Sequence, residues 1–244
     1  MTDGDAIGGR AGSGSILAML KAKLQREPKL WLLEAQLHSY FARVPFAITG
    51  NLLNAAILIW LFHGTVATRW LSAWALLLVG LSAIRLAVHM NRFRLCGSRG
   101  PRWLARYTLL EGIWFGASWA SAVALIMPHA SPLQVAILSM VAAGMMSGGT
   151  FTFATLPSAA RLYVGVLAAG AFVGFSSLEA AFAVPAVLLL TSYAFILNRS
   201  ITASCGDFAE RVEHERELAD TAKTVRILLN VRTAVRKSTT AAAG

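Results

Sequence analysis

The stretch 107–127, YTLLEGIWFGASWASAVALIM, runs for 21 residues with a single charge, Glu111. A helix needs roughly 20 mostly apolar residues to cross about 30 Å of hydrocarbon, so this stretch is long enough to span a bilayer. Working outward from it, the same pattern recurs five times, at about 44–62, 70–88, 132–153, 162–175 and 180–197. The last two runs are parted only by the short turn 176–179, so one long helix across both is the main alternative to six spans.

The basic residues decide between these readings. With the N-terminus inside, the inner segments are 1–43, 89–106, 154–161 and everything after Asn198. They hold six, five, one and eight Lys/Arg respectively. Of the 22 basic residues, only Arg69 falls in an outer segment and only Arg85 within a span. Enrichment of Lys and Arg in cytoplasmic loops is the positive-inside rule. Fusing the last two spans would put the eight C-terminal basic residues outside. The expectation is therefore an all-α polytopic protein with six transmembrane helices, in contact with the lipid bilayer and with both termini cytoplasmic.

Composition agrees. The chain has 244 residues, 56% hydrophobic and 14% charged, with mean hydropathy +0.59 and net charge +10. Soluble domains carry about 25% charged residues, so this chain could not cover its own surface in water. Two cysteines exclude a secreted disulfide scaffold. The basic charge is spread over short loops instead of one face, which argues against a nucleic-acid partner.

The two ends differ from the middle. Residues 1–43 read as a cytoplasmic N-terminus. Its apolar run Ser15–Leu20 is cut off by Lys21 and Lys23 and is too short for a signal peptide. The glycines of GGR and GSG before it read as a flexible arm. Lys29–Val44 reads as an amphipathic helix, with Leu30, Leu33, Leu37, Tyr40 and Phe41 at helical spacing. Beyond Asn198, Ile201, Cys205, Phe208 and Val212 are spaced 4, 3, 4, and so are Leu218, Ala222, Val225 and Leu229. Both sets are coiled-coil seams, and the six-residue step from Val212 to Leu218 breaks the register between them. Residues 199–230 thus read as a cytoplasmic signalling helix that pairs as a homodimer, with an amphipathic helix on the inner leaflet as the other reading. Residues 231–244 lack apolar periodicity and read as a disordered tail.

Ionisable residues inside spans are the first candidates for a site, because each costs about 2.5–3.5 kcal/mol on insertion scales. Arg85 falls late in the second span and Glu111 early in the third, so the two share a depth in the cytoplasmic half. Asn51 and Asn54, three apart on the first span, are available as extra partners. Two readings stay open: an ion pair with amide hydrogen bonds that holds the bundle, or a protonatable or ligand-sensing site. Pairs of glycines four apart, Gly112/Gly116, Gly144/Gly148 and Gly170/Gly174, are expected to let helices pack closely in lipid. On the outer side His63, Met127 and His129 form a weak set of soft-metal ligands, although no metal motif is present. Trp60, Trp70 and Trp103 fall at the interfaces, and Trp74, Trp114 and Trp119 within spans. Cys96 and Cys205 lie on the reducing side; Cys205 reads as a seam residue, with a dimer disulfide as the alternative. No catalytic triad, phosphate loop or cofactor motif appears, so no enzymatic activity and no cofactor is expected.

Residues 30–230 resemble the N-terminal membrane region of bacterial, notably alphaproteobacterial, signalling proteins. In these a multi-span sensor leads through a helical linker to PAS domains and then GGDEF/EAL cyclic-di-GMP enzymes or a histidine kinase. The residues that carry the resemblance are LLEAQLHSYFARVPF, EGIWFG, GTFTFATLPSAA and ERELADTAKTVRILLN, the linker being the most specific. The resemblance implies a sensory input module in the bacterial inner membrane, relaying a signal through its coiled-coil linker. The chain departs from the pattern at VRTAVRKSTTAAAG, where the family continues into an acidic segment and a PAS domain. A frameshifted or prematurely ended reading frame is the expectation that follows, testable on the nucleotide sequence. A small transporter-like or structural membrane protein is the alternative reading.

Overall fold

Gly100 and Pro101 together start the helix that holds the third predicted span. Gly100 takes φ +79°, which L side chains rarely adopt. Pro101 then sits in the first turn, where its missing N–H leaves no bond unmade. The helix continues unbroken to Ile126. The computed structural model describes residues 28–66 and 68–242; Ser15–Leu20 and the glycines of the arm lie outside the described residues.

Seven α-helices occur among the described residues. They are α1 (Pro28–Phe62), α2 (Thr68–Met90), α3 (Arg92–Arg99), α4 (Pro101–Ile126), α5 (Pro132–Thr152), α6 (Pro157–Ser176) and α7 (Ala180–Ala242). All but the eight-residue α3 are long and apolar enough to cross a membrane, and the chain is an all-α polytopic membrane protein. The end of the bundle that carries α3, Arg106 and Arg161 is called the basic end below. Helix α4 is central: 56% of its apolar window is buried, against 22% in α1 and none in α7. The sixth span therefore stands at the edge of the bundle, with Phe182, Leu189 and Phe195 exposed for contact with lipid.

Glycines set the closest approach, between α4 and α6. A Cβ on Gly112 would stand 2.9 Å from the Ala159 carbonyl oxygen, and one on Gly116 3.1 Å from that of Tyr163. Further along, a Cβ on Gly170 would strike Ala120, and one on Gly174 would meet the Val123 carbonyl at 3.0 Å. The positions rise together along both helices, so α4 and α6 run parallel, each supplying the glycines for one half of the contact. Two of the three predicted glycine pairs thus pack as expected. Gly144 and Gly148 do not: nothing lies within 4 Å of a Cβ on either. Close packing on α5 falls instead to Gly149, where a Cβ would collide with the Tyr163 ring.

The ends of the bundle also depart from expectation. The amphipathic segment and the first span are one helix, α1, running straight through Pro45. Burial of Leu37, Tyr40, Phe41 and Val44 holds the turns on the N-terminal side of the proline against the bundle, which offsets the backbone bond that proline removes. At the other end α7 is continuous from the sixth span to Ala242, through the step at 212–218 and past residue 230, where the sequence suggests disorder. Neither Gly nor Pro occurs between Gly206 and Gly244, and the last turns are rich in Ala, Arg and Lys, all good helix formers. Local propensity carries the helix where periodicity gives out.

These contacts predict opposite outcomes at two glycines. Gly170→Leu should overpack the α4–α6 seam and cost about 1–3 kcal/mol or more, read as a lower aggregation temperature of the detergent-solubilised protein. Gly144→Ala, with open space at the Cβ, should instead stabilise by up to about 1 kcal/mol.

Candidate functional site

Three spans converge on one buried carboxylate. Arg85 on α2 and Glu111 on α4 meet as the sequence suggests, with Arg85 Nε 2.6 Å from Glu111 Oε1. That contact is an ion pair and not an aligned hydrogen bond, since Nε has no hydrogen-bond partner within geometric limits. The third member is Tyr40 on α1, fully buried. Its hydroxyl donates to Glu111, lying 2.7 Å from Oε1 and 2.6 Å from Oε2, and accepts from Arg85 Nη2 at 3.4 Å. Arg85 and Glu111 are only 3% and 5% exposed.

Aromatic rings close the space around the guanidinium. Its carbon lies 5.2 Å from the centre of the Phe115 ring and 5.7 Å from those of Tyr40 and Phe153. Tyr40 and Phe153 stack at 5.5 Å, and Phe153 in turn leans on Tyr163. Ring faces are negative, so they stabilise a cation in a medium with no water to do so. The cluster is thus a neutral ion pair, crossed by a hydroxyl that both donates and accepts, inside an aromatic box. It binds three helices together by charge.

The two asparagines do not join it. Asn51 Nδ2 donates to the Ala47 carbonyl at 2.7 Å, and its Oδ1 accepts from Trp119 Nε1 at 2.6 Å. Asn54 donates to the Gly50 carbonyl at 2.9 Å and to Met145 Sδ at 3.4 Å. Both amides bond one turn back along their own helix, and neither hydrogen-bonds to the ion pair. Trp119 also meets Trp74 edge-on, and Trp74 Nε1 donates to the Ser118 carbonyl at 2.8 Å. These two tryptophans belong to the core, whereas Trp60 and Trp114 are exposed.

A cleft of about 160 Å³ lies between α1 and α5 on the far side of Tyr163 and Phe153, with Arg43, Gly50, Asn54, Arg85, Gly144 and Gly148 among its lining residues. Of the outer set, Met127 is fully buried while His63 and His129 are exposed. No cluster of three or more His, Cys, Asp or Glu side chains able to hold a metal occurs among the described residues.

A second group of contacts ties the basic end together. Thr155 Oγ1 donates to the Gln36 carbonyl at 2.9 Å, Arg161 Nη2 to Thr202 Oγ1 at 3.0 Å, and Cys205 Sγ to the Ala154 carbonyl at 2.9 Å. Arg216 lies over the Trp31 ring at 4.9 Å. The first predicted seam is consequently occupied from within. Ile201 is fully buried, and Cys205, Phe208 and Val212 are half-buried against this chain. The second seam is solvent-facing at Leu218 and Val225, exposed by 58% and 50%. The register break at 212–218 marks where α7 leaves its own bundle.

Fold and site together define a six-span helical membrane protein built around an intramembrane ion pair. Comparison with protein-family models, with curated proteins and with solved structures finds no match.

The pair predicts a characteristic pattern of stability. Glu111→Gln should strand the Arg85 charge and cost about 3–5 kcal/mol, while replacing both residues with leucine should recover most of the loss. Tyr40→Phe removes a hydrogen bond to a charged group and should cost about 1.5–3 kcal/mol. Unfolding in mixed detergent by graded denaturant reads all three.

Proposed function

We propose that this chain is the membrane-embedded input module of a bacterial signalling protein. In this reading it sits in the inner membrane with both termini cytoplasmic and works as a homodimer paired through α7. A stimulus that shifts the packing around Arg85, Glu111 and Tyr40 moves α1, and α1 moves α7. The observation that carries the reading is the course of α7. It is one helix from a peripheral span to Ala242, it is tied near its exit to the α5–α6 connection through Cys205 and to Trp31 at the start of α1 through Arg216, and beyond these contacts it presents an apolar stripe. An exposed stripe of Leu218, Ala222 and Val225 on a charged helix is well suited to a coiled coil with a second copy. The resemblance of residues 30–230 to multi-span bacterial sensors supports the same reading, as do the basic segments at one end of the bundle.

Cross-linking tests the relay. With Cys96 and Cys205 replaced by serine, Leu218→Cys and Val225→Cys should each give disulfide dimers in native membranes, while Ile201→Cys should not. Adding Glu111→Gln should change the dimer yield about fivefold or more if the ion pair and the stripe are coupled. Monomers at both positions in a well-expressed protein would overturn the reading. Reporter fusions check the orientation: a fluorescent protein should mature at either terminus, and alkaline phosphatase should be active after His63, His129 or Ser177 but at neither terminus.

A further inference from the structure

A Cβ on Gly50, Gly80, Gly144, Gly148 or Gly165, all in membrane-spanning helices, would have no atom within 4 Å. Three of these five, Gly50, Gly144 and Gly148, line the cleft between α1 and α5. Each glycine in a helix interior costs about 1 kcal/mol relative to alanine, and here no close helix contact requires it. Three of them along one cleft keep its walls free of side chains and leave room for an occupant.

The shape of the cleft limits what that occupant is. It runs from Arg43 to Asn54 on α1, eleven residues and so about 16 Å along the helix at 1.5 Å per residue. Its lining is mostly apolar along that length and open to one side, so a hydrocarbon chain can lie along it.

The charges limit the head group. Arg43 stands at the basic end of the cleft, its Nη1 donating to the Phe151 carbonyl at 3.0 Å and its guanidinium over the Phe151 ring at 4.9 Å. It has no carboxylate partner among the described residues. Arg85 also lines the cleft while 3% exposed. Its Nε faces Glu111 and its Nη2 faces Tyr40, which leaves Nη1 without a hydrogen-bond partner among the described residues. Glu111 neutralises Arg85, so Arg43 is the cation at the cleft without a protein carboxylate among the described residues, and an anion beside it would restore the balance. Guanidinium donors match a carboxylate in both geometry and charge.

We propose that the α1–α5 cleft binds a long-chain carboxylate, a single-chain anionic amphiphile, with its head between Arg43 and Arg85 and its chain along Gly50, Gly144 and Gly148. Binding here requires nothing of the relay through α7. The chain enters sideways from the bilayer, where such amphiphiles partition.

Photolabelling tests this on the full chain in phosphatidylcholine nanodiscs. A myristate-type fatty acid with a diazirine near the chain end is expected to label residues 50–54 and 144–149, as read by mass spectrometry. Unlabelled myristate should compete, and its methyl ester should not. Arg43→Gln should weaken labelling about tenfold, and Gly148→Leu, whose side chain would fill open space in the cleft, should abolish it. Labelling spread evenly over the lipid-facing helices would overturn the proposal. So would equal competition by the methyl ester, or displacement by phosphatidylglycerol and not by myristate. The competition arms use the unmutated protein, so they stand even if a variant folds poorly.

Discussion

The contact between Arg85 and Glu111 is the constraint on which the bundle rests. Each charge alone in hydrocarbon is unfavourable by about 2.5–3.5 kcal/mol. Together, with the Tyr40 hydroxyl across the carboxylate and three aromatic rings around the cation, they form a neutral unit that needs no water. Because the three side chains come from α1, α2 and α4, the unit fixes those helices at one depth and one rotation. Apolar packing in lipid could not do this as firmly, since lipid competes equally well for an apolar face.

Around that point the helices divide into two kinds. The parallel pair α4 and α6 is held by glycines from both sides, which leaves no room for sliding without collision. Helix α7 packs one face of its span on the bundle, with Tyr193 bonded to α5, and is tied again at the basic end through Cys205, Thr202 and Arg216. The N-terminal third of α1 joins the two. It carries Tyr40 into the buried pair and Trp31 onto α7, so the centre of the bundle and the emerging helix share one rigid element.

Much of this could be read from the residues because membrane insertion leaves strong one-dimensional marks. The run 107–127 and the placement of Lys and Arg are sufficient to count the spans. Glu111 and Arg85 stand out because charges are rare at that depth. Tyr40 did not stand out. Its ring belongs to an apolar stripe with Leu37 and Phe41, and a hydroxyl buried by a distant helix looks the same in sequence as one facing a lipid head group. The asparagines misled for a related reason: an amide can satisfy itself one turn back on its own helix, and spacing cannot show that. Gly144 and Gly148 have the spacing of a packing motif, yet only the course of α1 shows that they face a cleft. The first seam of α7 has coiled-coil periodicity, but the partner it finds is its own chain.

The same ion pair also constrains how the protein is made. Synthesis proceeds from the N-terminus, so Arg85 enters the membrane 26 residues before Glu111 exists to meet it. Through that interval α2 carries an unpaired cation, and the insertion machinery or a retreat of the guanidinium toward the basic end must hold it. Tyr40 lies upstream of both charges, so its hydroxyl is already made when Arg85 enters, and α3 then joins the two spans whose charges meet.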